Sequence, residues 1–184
     1  MAKRKESFAN PAMVEPHIAE EKELVRVIVE TPRTSRNKYE FGSDLRLFEL
    51  SKVLPSGMDF PFDYGFIPST RADDGDPLDV LLLTDEPTFP GCLVRARLIG
   101  AVRGESRREG AAVTRNDRLI AAAEKSHLYG GLKSLDQLDG SFTSELEKFF
   151  TNYHSLDDEK YRVLGRCGPP EAKKLLRAAE RRAR

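Results

Sequence analysis

Three carboxylates fall within six residues, Asp74-Gly75-Asp76-Pro77-Leu78-Asp79, and no ordinary core can take them in. So close together they repel one another unless cations lie between them. Gly75 and Pro77 exclude a regular helix and bend the backbone, which lets the three side chains converge rather than alternate. An oxygen-only, highly charged site suits a hard cation. Mg²⁺ suits it best, since it is held by a few carboxylates together with waters and substrate phosphates. The plainer reading of a bare acidic run is a solvated surface loop, and neighbouring residues must decide between the two. A calcium EF-hand loop is excluded: counting from Asp74, Leu78 and Asp79 stand where that loop needs an oxygen ligand and a glycine.

The acidic run must be carried by a chain of 184 residues, long enough for one domain with a core of its own. The apolar share is 39%, the charged share 33%, and the formal net charge zero. A neutral balance argues against bulk attraction to nucleic acid or to an anionic membrane. Cys92 and Cys167 are far apart and form neither a disulfide framework nor a zinc-finger spacing, so a reducing cytoplasm is the expected setting. Lys3-Arg4-Lys5 has no apolar run behind it and does not read as a signal peptide. No stretch is long and apolar enough to span a membrane.

Residues 1–20, broken by Pro11 and Pro16, read as an N-terminal arm, and 21–184 as a single domain. Strands are expected at Leu24–Thr31, Lys38–Phe41, Leu45–Leu50, Asp79–Thr84, Cys92–Val102 and Arg118–Ala123. A turn at Gly42-Ser43-Asp44 joins the second and third. The segment from Pro55 to Pro68, carrying Phe60, Phe62, Tyr64 and Phe66, reads as a packed loop. Arg103–Thr114 reads as an exposed hairpin loop. The last third reads as helical. Ser134 with Gln137, and Ser144 with Glu147, form capping boxes. Leu146, Phe149, Phe150 and Tyr153 share a helix face. Pro169-Pro170 opens a final helix with Ala172, Leu175, Leu176 and Ala179 as its apolar stripe. Strands first and helices later indicate an α+β domain, a small barrel or curled sheet packed by helices.

Several polar residues stand where core-building strands should not want them. Lys38 and Glu40 share one strand face, as do Asn116 and Arg118. Glu30 ends the first strand, and Tyr64 precedes the acidic run. Each has a plain reading alone: Lys38 and Glu40 as solvated strand residues, Tyr153 as a core tyrosine, His154 as an exposed neighbour. His17 and His127 have no partner spacing and read as bystanders.

Taken together these residues resemble a known family. Asp63-Tyr64-Gly65-Phe66-Ile67-Pro68 followed by Asp74-Gly75-Asp76-Pro77-Leu78-Asp79-Val80 closely resembles the signature of soluble family I inorganic pyrophosphatases. Ile28-Val29-Glu30-Thr31-Pro32, Lys38-Tyr39-Glu40, Pro90-Gly91 and Phe149-Phe150 with Tyr153-His154 extend the likeness from Leu24 to Gly168. It overturns the surface-loop reading. It implies a five-stranded OB-like β-barrel flanked by C-terminal α-helices. It also implies Mg²⁺-dependent hydrolysis of pyrophosphate to two phosphates, with Mn²⁺ as a possible substitute, and assembly as a homo-hexamer. Asp74, Asp76 and Asp79 match metal-binding aspartates, and Asp76 also the position that helps activate the attacking water. Glu30 and Glu40 match acids that order water around the metals. Lys38, Lys52 and Arg118 match cationic substrate-binding positions, and Tyr64 and Tyr153 phosphate-contacting tyrosines.

The likeness has departures. Lys52 stands where arginine is usual, which keeps the charge and loses the bidentate fork. Asn116 falls on the second of two further metal-ligand aspartates and offers a neutral oxygen in place of a carboxylate. Glu105 is the nearest candidate for the first. Asp117 would face away on a strand. His154 replaces a lysine at a substrate-binding position, and Phe60 a tyrosine. A working pyrophosphatase is the leading reading. The alternative is a weakened or non-catalytic protein on the same fold that binds phosphate, pyrophosphate or a nucleotide for regulation. A nucleic-acid-binding barrel is disfavoured by zero net charge and the lack of a basic aromatic patch.

Overall fold

The structure, a computed structural model, describes residues 10–18 and 21–184, so the expected arm is described only in part. Its elements are β1 (His17–Ile18), β2 (Glu21–Thr31), β3 (Asn37–Gly42), β4 (Leu47–Val53), β5 (Asp63–Ile67), β6 (Leu78–Leu83), β7 (Leu93–Arg108), β8 (Thr114–Arg115), β9 (Arg118–Ala123), α1 (Gly140–Ser155), β10 (Glu159–Cys167) and α2 (Pro169–Ala183). Among the described residues no helix is long and apolar enough to cross a membrane.

Five strands close on themselves. β2 pairs with β5, β5 with β6, β6 with β9, β9 with β7, and β7 returns to β2. Only β6–β9 is parallel within that ring. This is the expected OB-like arrangement, and closure removes the open edges that a small sheet would otherwise expose. β3 and β4 form a separate hairpin.

The ring strands are buried on both faces, which explains their unbroken apolar runs. Val80, Leu82, Leu119 and Ala121 belong to one core cluster, completed by Ala172, Leu176 and Ala179 of α2. The alternate residues Leu81, Leu83, Ile120 and Ala122 belong to a second cluster, completed by Leu146, Phe150 and Tyr153 of α1. The strand period of two thus assigns each helix its own face. In β6 the one polar residue is Asp79, and in β9 it is Arg118.

Four expectations are corrected. The Pro55–Pro68 segment contains strand β5, buried at every position. Pro61 and Pro68 lie outside it, and the intervening five residues pair on both sides. Gly65 makes this possible, because a Cβ there would lie 2.0 Å from the Ile28 carbonyl oxygen. Arg103–Arg108 is not a loop but the end of β7, held by pairing with β10. β10 itself interrupts a region expected to be helical, and its pairing partners lie some fifty residues earlier, beyond any local signal. Ser144 and Glu147 do not cap a helix start: α1 begins at Gly140, capped by the Asp139 side chain on Ser141 N. The Ser134–Gln137 capping box and the helix opening at Pro169 are present as expected.

Gly65→Ala should lower stability by about 3 kcal/mol, the upper range for forced overpacking, since the obstruction is backbone and cannot swing aside. A urea unfolding midpoint indistinguishable from wild type would show that β2 and β5 can separate at this point.

Candidate active site

A cavity of about 560 Å³ opens where β5, β6, β9, the β3–β4 hairpin, the β7–β8 hairpin and α1 meet. One wall is acidic: Glu30, Glu40, Asp74, Asp76 and Asp79 all line it. Asp79 sits at the start of β6, and Asp74 and Asp76 on the bend before it. That bend needs Gly75, whose φ of 101° is open to glycine and rarely to other residues. It is closed by Ala72 N donating to Asp76 O at 2.7 Å and Asp76 N donating to Asp74 Oδ1 at 3.1 Å. α2 holds it from behind, through Arg182 to Asp73 at 2.7 Å and Arg71 N to Ala179 O at 3.0 Å.

The carboxylates raise one another's proton affinity. Burial, then the charges of Asp79 and Glu40, push Glu30 from 4.5 to about 8, although Phe41 N–H donates to it at 2.8 Å. Burial and the neighbouring aspartates raise Asp74. Burial also raises Asp79, against the pull of Arg118, the Tyr64 hydroxyl and Lys38. Tyr64 donates its O–H to Asp79 Oδ2 and is itself pushed well above the usual tyrosine range, first by burial. Burial favours protonation of Glu40 as well, but hydrogen bonds from Lys38 and Ser51 outweigh it and lower the value.

This donor set is all oxygen, and its protonation state is strained by uncompensated negative charge. Both features fit a hard divalent cation. Among the described residues no three His, Cys, Asp or Glu side chains are grouped tightly enough to hold a metal ion by themselves.

A further stretch of the cavity wall is cationic, with Lys38 and Arg118 next to acids of the same cavity. Arg118 is buried at 3% exposure, with its guanidinium 4.4 Å from the Phe150 ring centroid and 5.1 Å from that of Tyr161. Its Nη2 lies 3.8 Å from Asp79 Oδ2, its Nη1 donates to Asn116 O at 3.1 Å, and its Nε has no hydrogen-bond partner. Lys38 pairs with Glu40, and its Nζ is 5.7 Å from the Tyr153 ring centroid. Burial works against the Lys38 charge, but Tyr153 and Glu40 outweigh it and the pKa rises.

The cavity gathers the predicted site residues Glu30, Lys38, Glu40, Tyr64, Asp74, Asp76, Asp79, Asn116, Arg118, Tyr153 and His154. Lys52 is set back from it, paired with Asp157 at 2.6 Å and 5.2 Å from the Tyr153 centroid. Glu105 is not on the cavity and pairs with Arg162 at 2.7 Å; Asp117 faces away to Arg115, also at 2.7 Å. Neither supplies the carboxylate that Asn116 lacks. His154 is not exposed but buried at 5%, because β10 covers it and the Tyr161 ring stacks on it at 4.7 Å. Charged or polar lining residues that escaped sequence reading include Ser106, Arg107, Arg108, Asp157 and Glu159. The arginine-rich stretch was a visible signal for two of them, whereas Glu159 becomes meaningful only once β10 is known.

The sequence and the fold have counterparts among known proteins. The inorganic pyrophosphatase family matches residues 27–184. The chain belongs to the inorganic pyrophosphatase family. It is 40% identical over 142 residues to the inorganic pyrophosphatase of Synechocystis, covering 77% of this chain and 81% of that one. It is 37% identical over 153 residues to that of Nostoc, covering 83% and 88%. The crystal structure of the Thermus thermophilus inorganic pyrophosphatase superposes with a TM-score of 0.86 at 31% identity, covering 95% of this chain and 99% of that one.

For this pyrophosphatase the Glu30 shift has a direction that can be measured. Its folded pKa is raised, so the folded state keeps the proton while the unfolded chain releases it between pH 4.5 and about 8. Metal-free stability is therefore lost as pH rises through that window. Glu30→Gln keeps an acceptor for Phe41 N–H and escapes that loss. In chelator, the variant should gain on wild type by more than about 1 kcal/mol between pH 4 and pH 8. A difference in unfolding free energy that stays flat with pH would show that Glu30 ionises normally.

Proposed function

We propose that the chain hydrolyses pyrophosphate to two phosphates at this cavity, with Mg²⁺ as the physiological divalent metal and Mn²⁺ as a substitute. The observation that carries the reading is one cavity lined by five carboxylates together with Lys38 and Arg118, in a chain of the inorganic pyrophosphatase family. Asp74, Asp76 and Asp79 are the metal-holding carboxylates, with Glu30 and Glu40 ordering the water around them and Asn116 offering a neutral oxygen. A divalent cation bound there supplies neutralisation of phosphate oxygens and acidifies coordinated water.

The chain's own groups do the rest. Pyrophosphate repels an approaching hydroxide, so positive charge must meet the phosphoryl oxygens as they gain charge in the transition state. Arg118 and Lys38 stand on the cavity to do this, with Lys52 and Tyr153 behind Lys38 at the rim. Asp76 is the base that draws the proton from the attacking water. The Tyr64 hydroxyl stays protonated, which keeps it a donor to Asp79 and available to a phosphate oxygen. The phosphate- or nucleotide-binding regulator on the same fold is not favoured, because the relatives of this chain are inorganic pyrophosphatases and Glu30, Glu40, Asp74, Asp76 and Asp79 all line the cavity. Free Cys92 and Cys167 fit a reducing cytoplasm. Exposed Leu47, Leu50 and Val53 on β4 fit self-association, for which the family likeness suggests a hexamer.

Purified protein should release phosphate from pyrophosphate in millimolar Mg²⁺ and stop in excess chelator. Asp76→Asn should cut turnover about a thousandfold with the fold intact. Retained turnover would remove Asp76 from the chemistry. Asn116→Asp should lower the Mg²⁺ concentration for half-maximal activity several-fold, by restoring a charge to the donor set. An unchanged metal dependence would show that position 116 does not ligate metal.

A further inference from the structure

Behind the cationic wall runs a line of contacts that the reaction scheme above does not use. Arg118 Nη2 lies 3.0 Å from His154 Nε2, and His154 Nδ1 lies 2.6 Å from Glu159 Oε2. A guanidinium only donates, so Nε2 must be the accepting nitrogen and the ring proton must sit on Nδ1. An ionised carboxylate only accepts, which fixes the same tautomer from the other end. Ser106 adds a second hydrogen bond to Glu159. Both ring nitrogens of His154 are thus committed, and the imidazole has none left for a phosphate oxygen. Burial and the adjacent Arg118 charge lower its pKa to about 4, so the ring is neutral at physiological pH.

Arg118 needs such a partner. It is buried against the Phe150 and Tyr161 rings, which stabilise its charge, and its Nη1 donates to the Asn116 carbonyl oxygen at 3.1 Å, which leaves Nη2 to meet a second acceptor. Gly104 leaves the room for Tyr161, since a Cβ there would lie 2.1 Å from the tyrosine hydroxyl. Asp79 is too distant, at 3.8 Å, for a good hydrogen bond with Nη2. His154 Nε2 meets Nη2 at hydrogen-bond distance, while the Tyr64 and Tyr161 hydroxyls also lie against the guanidinium.

We propose that Glu159 and His154 form a positioning relay that holds the Arg118 guanidinium in the orientation that meets the phosphoryl oxygens, and that His154 itself does not bind substrate. Glu159 holds the imidazole in the Nδ1–H form, and the bare Nε2 then anchors one end of the guanidinium. This inference rests on pyrophosphate hydrolysis as the activity.

Two measurements test it, and the first needs no activity. In protein labelled with ¹⁵N-histidine and free of substrate, the His154 ring should show the neutral Nδ1–H tautomer at pH 7. An imidazolium or an Nε2–H tautomer would overturn the relay whatever the enzyme does. The second is a double-mutant cycle. Glu159→Ala should lower kcat about tenfold with KM for pyrophosphate moving less than threefold. Glu159→Gln, which still accepts from Nδ1–H, should recover at least a third of wild-type kcat. In an Arg118→Lys background the Glu159→Ala change should cost less than twofold. An equal loss in both backgrounds, or no recovery with glutamine, would show that Glu159 acts independently of Arg118. Wild-type protein lacking phosphatase activity would instead overturn the activity itself and leave the tautomer result standing.

Discussion

A carboxylate and a guanidinium begin two neighbouring strands that are otherwise wholly apolar. β6 and β9 run parallel with Val80 opposite Leu119, so Asp79 and Arg118 start their strands side by side. The alternation that sends Leu81, Leu83, Ile120 and Ala122 toward α1 sends Asp79 and Arg118 the same way. A slip of one residue would carry both charges to the opposite face and bury them against α2. The apolar register therefore places the charged pair, and the cavity grows from that pair outward.

Holding so many carboxylates together is costly, and the fold distributes the load. Asp74 and Asp76 are restrained by backbone N–H groups on a bend, and α2 ties that bend to the ring through Arg182 and Ala179. Glu30 comes from the end of β2, where the β3 backbone reaches it through Phe41. Burial, with the charge of neighbouring carboxylates adding to it, raises the proton affinity of Glu30, Asp74 and Asp79. A site of this kind binds metal and releases protons in one event.

Much of this was legible in the chain. The acidic run, most of the apolar strands around it, the Ser134 capping box and the helix start at Pro169 are local patterns, whereas the five-stranded ring was implied by the family resemblance. What was hidden depended on pairing across long sequence distance. Asp63-Tyr64-Gly65-Phe66-Ile67 looks like punctuation between prolines until Gly65 is seen to admit the Ile28 carbonyl. Arg103–Arg108 looks like a polar loop until β10 is laid beside it. His154 lies off the apolar stripe of its helix and so reads as exposed, yet β10 covers it. Its burial is a property of Tyr161 and Glu159, not of the helix pattern that carries it.

The same hidden strand explains why the cationic wall can differ from the acidic one. The acidic wall is built from one continuous bend and its neighbours, so changing any carboxylate alters the metal donors directly. The cationic wall draws Lys38 from β3 and its buried arginine from β9, with α1 and β10 packed around the latter. That arginine is held by the Asn116 carbonyl at Nη1 and by the His154 side chain at Nη2. A lysine ammonium in that place could turn freely and meet phosphate as a point charge. A planar guanidinium delivers paired donors, but only when its rotation is fixed. The neutral histidine beside it supplies an acceptor without adding a second cation to a crowded wall, and the glutamate behind fixes which nitrogen accepts. Arginine at 118 and histidine at 154 are, on this argument, two halves of one solution, each costly without the other.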